Sequence, residues 1–177
     1  MPNHTDNRII LEHKDPKEIT YIWEIFQLED TPFCQMIIPM PRELENTTSP
    51  CPEGVKQPVI DGHNNWYDWR VEHWGTKWDI YDADCERIDD NTLQIYFSSA
   101  WSPPVPVFER LVDMGFDIDA RYLDEGWMFI GQFTAQDGVV DDYCTSDVEN
   151  VKEDYPELDD EFGISETLEE QREEANG

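Results

Sequence analysis

Apolar positions along the chain switch between a strand period and a helical one. Asn7 to His13 (NRIILEH) reads as a short strand. Asp15 then Pro16 supply an N-cap and a first helical residue. In the following KEITYIWEIFQLED, Ile19, Ile22, Trp23 and Phe26 recur at i, i+3, i+4 and i+7, the stripe of one amphipathic helix. Pro32 ends it, and Phe33 to Met40 (FCQMIIPM) is expected as a strand running into Pro39 and Pro41. Residues 42–64 hold three prolines and two glycines and no sustained period, so an irregular loop is expected there. Asn64 or Asn65 can cap a short helix, WYDWRVEHW, which Gly75 would end.

Residues 76–87 read as a strand, Asp89-Asp90-Asn91 as a turn and Thr92 to Ser98 as the returning strand of a hairpin. Pro103-Pro104 open a third helix with Val107, Leu111 and Met114 on one face, ended by Gly115. Asp117 to Leu123 alternates as a strand, Glu125-Gly126 turns the chain, and Trp127 to Ala135 returns; Asp137-Gly138 is a further turn signal. Helices interleaved with hairpins predict an α+β fold, an antiparallel sheet with helices packed on one face. A ferredoxin-like arrangement is the nearest simple topology.

Charge changes this picture more than any motif does. The chain of 177 residues carries 41 acidic and 12 basic residues, a formal net of −29. Residues 141–177 hold 15 acidic and two basic residues, a net of −13, leaving −16 on residues 1–140. The expected organisation is therefore a body over 1–140 and an acidic C-terminal extension over 141–177. In the extension, Ser165 can cap a weak helix, ETLEEQREEA, whose Glu166–Glu170 and Glu169–Glu173 pairs repel. Its apolar residues Tyr155, Leu158, Phe162, Ile164 and Leu168 would order it if they dock on the body or on a partner; a frayed, solvated tail is the other reading. Seven Trp and 12% aromatics nonetheless provide a core, so the acidity does not imply general disorder. No apolar run approaches the roughly 20 residues of a membrane span, and Met1 to Thr20 has no secretory signal pattern. A cytoplasmic protein with free thiols at Cys34, Cys51, Cys85 and Cys144 is expected.

Several segments occur in one order: the opening MPNHTDNRI, IIPMP at 37–41, WYDWRVEHWGTKWD at 66–79, FSSAWSPP at 97–104, and Tyr122 followed by Gly126. In these the chain resembles the YubB-type ferredoxin-like domain family, small proteins of phages, plasmids and genomic islands. The likeness covers roughly residues 1–140. It implies a ferredoxin-like fold and a mobile-element origin, and brings no catalytic residues.

No catalytic constellation stands out. His4, His13, His63 and His73 lack metal-ligand spacing, and neither a nucleophile elbow nor a phosphate-binding glycine loop is present. A non-enzymatic protein without cofactor or metal is expected. Two surfaces remain. Trp66, Trp69, His73, Trp74, Lys77 and Trp78 form a dense aromatic and cationic cluster, either core or a pocket that stacks a nucleotide or small ligand. The carboxylates offer rows: Asp79, Asp82, Asp84, Glu86, Asp89 and Asp90 on the first hairpin, then Asp113, Asp117 and Asp119, then Asp137, Asp141 and Asp142. A negative field repels nucleic acid and anionic membranes and attracts basic protein surfaces. The expected partner is a host protein whose basic surface binds nucleic acid, in restriction or CRISPR machinery, with DNA mimicry as the mode. Solubility alone is the other explanation of the acidity.

Overall fold

The computed structural model describes residues 3–143, 151–154 and 156–177. Six antiparallel strands form one sheet in the order β2-β3-β1-β4-β5-β6. They are β1 (His4–Glu12), β2 (Tyr81–Arg87), β3 (Thr92–Ala100), β4 (Asp117–Asp124), β5 (Ile130–Thr134) and β6 (Gly138–Tyr143). The body's helices are α1 (Pro16–Ile25), α2 (Phe33–Ile37), α3 (Trp66–Trp74) and α4 (Val105–Asp113), with a short 3-10 turn at Arg42–Leu44. This is the α+β class that the interleaved pattern predicts.

The period-two alternation decides which face is inside. Ile9 and Leu11 of β1, Leu93, Ile95 and Phe97 of β3, and Ile118, Ala120 and Tyr122 of β4 point one way into a single core. Ile19, Ile22 and Ile25 of α1, Phe33 and Ile37 of α2, and Val107, Phe108 and Leu111 of α4 close over them. Asp15 caps α1 as its position predicts, accepting the Lys17 N–H at 3.0 Å. Gly131 lies beside Tyr122 on the neighbouring strand, where an added Cβ would fall 2.6 Å from the ring. The glycine is what lets the phenol lie flat across the sheet.

The opposite face is partly covered by the C-terminal extension. Here α5 (Val151–Asp154), α6 (Pro156–Phe162) and α7 (Ile164–Asn176) follow one another. Leu158 and Ile164 bury against Leu123 and Ile130, with Trp127, Phe162 and Leu168 around them. Arg8 and Arg121 stand directly opposite each other on β1 and β4, a pairing of like charges that costs energy by itself. Glu161 spans the two, 3.1 Å from Arg8 and 3.7 Å from Arg121, and Glu157 lies 3.3 Å from Arg121.

Four expectations are corrected. FCQMIIPM is not a strand: Phe33–Ile37 is helical. Its first N–H groups, which have no partner within the helix, are satisfied from far along the chain by Asp79, which no local pattern shows. The strand expected from residue 76 begins at Tyr81. β6, unforeseen, adds a sixth strand after Asp137 and runs through the expected boundary at residue 140. Ser165 does not cap the last helix. Gly163, with φ 60, is its N-cap, while the Ser165 N–H and hydroxyl both donate to Asp159, at 2.7 and 2.8 Å. Tyr155 and Cys144 lie outside the described residues.

Candidate functional site

Helix α3 distributes the aromatic cluster. Asn65 caps it, its side chain accepting the Asp68 N–H at 2.9 Å. Gly75 ends it in the left-handed conformation (φ 78) with its N–H on Val71 O at 3.1 Å. Trp69 and Trp74 face the core, each about 98–99% buried (relative exposures 2% and 1%), and Trp74 Nε1 donates to Ile38 O at 2.8 Å. His73 stacks on Trp69 with centroids 4.1 Å apart, and its Nδ1 lies 2.9 Å from Trp69 O. These three residues are therefore packing elements rather than pocket walls. Arg70 lies between the rings of Trp66 and Trp74, 5.1 and 4.8 Å from their centroids, and burial lowers its pKa.

The outward residues of the cluster build something else. Lys77 Nζ sits 4.8 Å from Trp78, 5.2 Å from Trp101 and 6.0 Å from Tyr67, measured to ring centroids. A cleft of about 350 Å³ opens here, lined by Ser49, Pro50, Trp66, Tyr67, Lys77 and Trp101. Tyr67 and Trp101 were not foreseen as site residues. The signal for Trp101 was an aromatic placed where β3 must turn, just before Pro103-Pro104.

The acidic candidates separate by environment. Asp79 is half-buried and turned onto the backbone rather than displayed. Its Oδ1 accepts the N–H groups of Cys34 and Ile80 at 2.8 and 2.9 Å, and Oδ2 accepts that of Gln35 at 2.9 Å. Burial raises its pKa, and these hydrogen bonds oppose the rise. The Cys34 thiol beside it is pushed well up, first by burial and then by the Asp79 charge. Asp119 is also engaged, by Gln132 at 2.7 Å and Arg121 at 3.2 Å.

Asp82, Asp84, Glu86, Asp89 and Asp90 are exposed, as are Asp113, Asp117 and Asp137. Asp84 and Glu86 pair with Tyr96 and Gln94 of β3 and so share the face away from the core. Asp82 sits where the register shifts, in left-handed backbone (φ 48). Asp141 and Asp142 belong to β6; their side chains lie outside the described residues.

Strand register gathers what the sequence keeps apart. Glu12 pairs with Thr92 on one side and with Asp117 on the other. The His13 N–H donates to Asn91 O, and the Ala135 N–H to Ile118 O. The β2–β3 turn with Asp89 and Asp90, the end of β1 with Glu12, the start of β4 with Asp117, and the β5–β6 turn with Asp137 thus share one end of the sheet. Asp113 ends α4 on the same side, since Gly115 and Asp117 line one hollow there with Glu12 and Asn91. Glu12 joins this rim although its own position gave no reason to single it out. Arg87, 3.8 Å from Asp90, and Lys14 lie beside it, and Arg110 is in the last turn of α4.

Among the described residues, no three or more His, Cys, Asp or Glu are grouped to hold a metal ion. None of the described helices is long and apolar enough to cross a membrane.

Residues 77–173, over half of the chain, match the family model for the ferredoxin-like domain in Api92-like protein. The chain belongs to the Api92-like family. The span matched in this Api92-like chain begins at Lys77, carries all strands from β2 to β6, crosses residue 140 and ends within α7. Among solved structures, a crystal structure of a protein api92 from Yersinia pseudotuberculosis is similar at a TM-score of 0.48 and 10% identity, covering 81% of this chain and 98% of that one. No curated protein matches.

Proposed function

We propose that this Api92-like protein is a non-catalytic binding protein of a phage or related mobile element. In the host cytoplasm it inhibits a defence system that handles nucleic acid, of the restriction or CRISPR type, by presenting carboxylates to that system's basic surface. The observation that supports this reading is the acidic end of the sheet. Asp89, Asp90, Glu12, Asp117 and Asp137 come from four separate chain segments and converge there through the strand register. At about 4.8 Å between neighbouring strands, six strands present an edge on the order of 24 Å wide. That equals about seven base-pair rises of 3.4 Å. Asp113 adds to the same side although it ends α4, where the helix dipole disfavours a carboxylate. Helix stability therefore does not explain it. Charge complementarity of this kind speeds association and selects basic partners.

The test is affinity capture from host lysate with the intact chain. Capture is expected at about 50 mM salt, with loss at about 500 mM and elution by added duplex DNA. The variant carrying Asp89→Asn, Asp90→Asn, Asp117→Asn and Asp137→Asn should capture at least about tenfold less, since each lost charge pair contributes on the order of 0.5 kcal/mol even when exposed. Capture that survives high salt, resists DNA and is unchanged in the variant would refute the proposal.

A further inference from the structure

We infer that the cleft between α3 and the end of β3 is a binding site for a single planar aromatic ring carrying one anionic group, of nucleotide size. Three independent features point there. The first is Lys77. In a chain with 41 acidic residues, it makes no ion pair among the described residues. Its ammonium lies instead over three aromatic rings. Those rings attract the charge but leave its hydrogen-bond donors turned to the cleft or to water.

The second is Trp101. It is 41% exposed and holds left-handed backbone (φ 71), a conformation that a bulky residue adopts only at a cost of order 1–3 kcal/mol. The fold holds it there: its N–H donates to Asn3 O at 2.9 Å, and its ring meets Tyr67 edge-on at 6.1 Å and 88°. A strained, exposed indole adds little to the core; it adds a flat apolar wall to the cleft.

The third is the construction of the other wall. The irregular segment 42–64 is tied to the start of α3. Thr47 Oγ1 accepts the Trp66 N–H at 2.9 Å. The Gln57 side chain takes the Thr48 N–H and donates to Thr48 O and Asn64 O at 3.0 and 2.9 Å. Ser49 and Pro50 are thereby held against Trp66 and Tyr67 as a formed wall. The volume, about 350 Å³, is at the small end of the range for ligand sites and suits one ring system.

The chemistry of the lining selects the ligand class. A planar ring stacks on Trp101 or Tyr67, an interaction worth roughly 1–3 kcal/mol for a base, and its anionic group reaches Lys77. The net charge of −29 opposes polyanions, so a monomeric ligand with one anionic group is selected over a strand of nucleic acid. Mononucleotides and aromatic carboxylates share this chemistry.

The test titrates the intact chain with AMP, adenosine, indole-3-carboxylate and a short oligonucleotide, read by tryptophan fluorescence and by calorimetry. AMP or indole-3-carboxylate should bind saturably, and whichever does so identifies the source of the anion. Adenosine, which lacks the anion, should bind at least about tenfold more weakly than AMP if AMP is the ligand. Lys77→Gln and Trp101→Ala, each with its unfolding curve unchanged or nearly so, should each weaken binding at least about tenfold. The proposal fails if neither anion saturates the signal by roughly 10 mM. It also fails if both variants bind like the parent, or if the oligonucleotide binds more tightly than the monomers.

Discussion

Replacing Asp79 tests how α2 is held. The carboxylate takes three backbone N–H groups at 2.8, 2.9 and 2.9 Å, two of them at the opening of a five-residue helix. A helix this short has almost no stability of its own, so the carboxylate acts as its cap from 45 residues away in sequence. Asp79→Ala leaves all three N–H groups unpaired. At about 1 kcal/mol each, the loss is about 3 kcal/mol, partly offset because a buried charge is removed with it. A net loss of about 2–3 kcal/mol lowers Tm by roughly 4–12 °C for a chain of this size. Asp79→Asn should fall between parent and alanine: its one carbonyl oxygen can still serve Cys34 and Ile80, but its amide meets the Gln35 N–H. Urea and thermal unfolding followed by circular dichroism give the ranking, and hydrogen exchange at the Cys34 and Gln35 amides localises it. An alanine variant within about 0.5 kcal/mol of the parent, with both amides still protected, would refute the capping role. The pH dependence is a second check. The native carboxylate binds its proton more tightly than the unfolded one, so this group's contribution to stability falls as pH rises from the ordinary carboxylate value through the raised one. The asparagine variant lacks that slope.

Gly131→Ala should cost about 1–3 kcal/mol by overpacking, because the new Cβ lies 2.6 to 2.7 Å from Tyr122 ring atoms and that ring is 99% buried (1% exposed); a Tm equal to the parent's would show that the ring can move. At about pH 8, where an ordinary thiol begins to ionise, alkylation mapped by mass spectrometry should reach Cys51 before Cys34 and Cys85. Burial pushes Cys34 well up, and burial with Asp84 pushes Cys85 up to about 12; early labelling of Cys34 would contradict its placement. Tyr81, raised to about 12 by burial and the nearby charges of Asp82, Glu125 and Asp6, should be among the last tyrosines to form phenolate in a spectroscopic titration. Removing residues 144–177 uncovers Leu123 and Ile130 and leaves Arg8 opposite Arg121. The shortened chain should unfold at lower urea and bind a hydrophobic dye, and unchanged behaviour would argue against docking of the extension.

Features with a local cause could be read directly from the sequence. The Ile19–Ile22–Trp23–Phe26 stripe, the Asp15 and Asn65 caps, the Gly75 and Gly115 stops and the Asp89-Asp90-Asn91 turn all act within a few residues. FCQMIIPM could not be read so, because an apolar run of that length suits either strand or helix and the deciding group, Asp79, is distant in sequence. β6 escaped notice because its only marks were Asp137-Gly138 and two valines. In the aromatic cluster, the i,i+4 spacing of Trp69 and His73 makes their stacking readable. It could not show that Trp69 is roofed by the core while Trp66 borders a cleft completed by Trp101. The acidic rim is likewise a product of register: Glu12, Asp89, Asp117 and Asp137 have no sequence relation until β3, β1, β4 and β5 pair.

The two outermost strands of the sheet set a limit on how it can grow. β2 carries Asp82, Asp84 and Glu86 in an alternating row and bends at a register shift, and β6 contains Asp141 and Asp142. An unpaired strand edge is a template for another chain. Here a second copy approaching the β2 border would bring carboxylates against carboxylates. Strand-by-strand self-assembly through β2 is therefore disfavoured at neutral pH. At neutral pH an acidic copy meets that border at a cost, whereas a basic strand would be attracted to it.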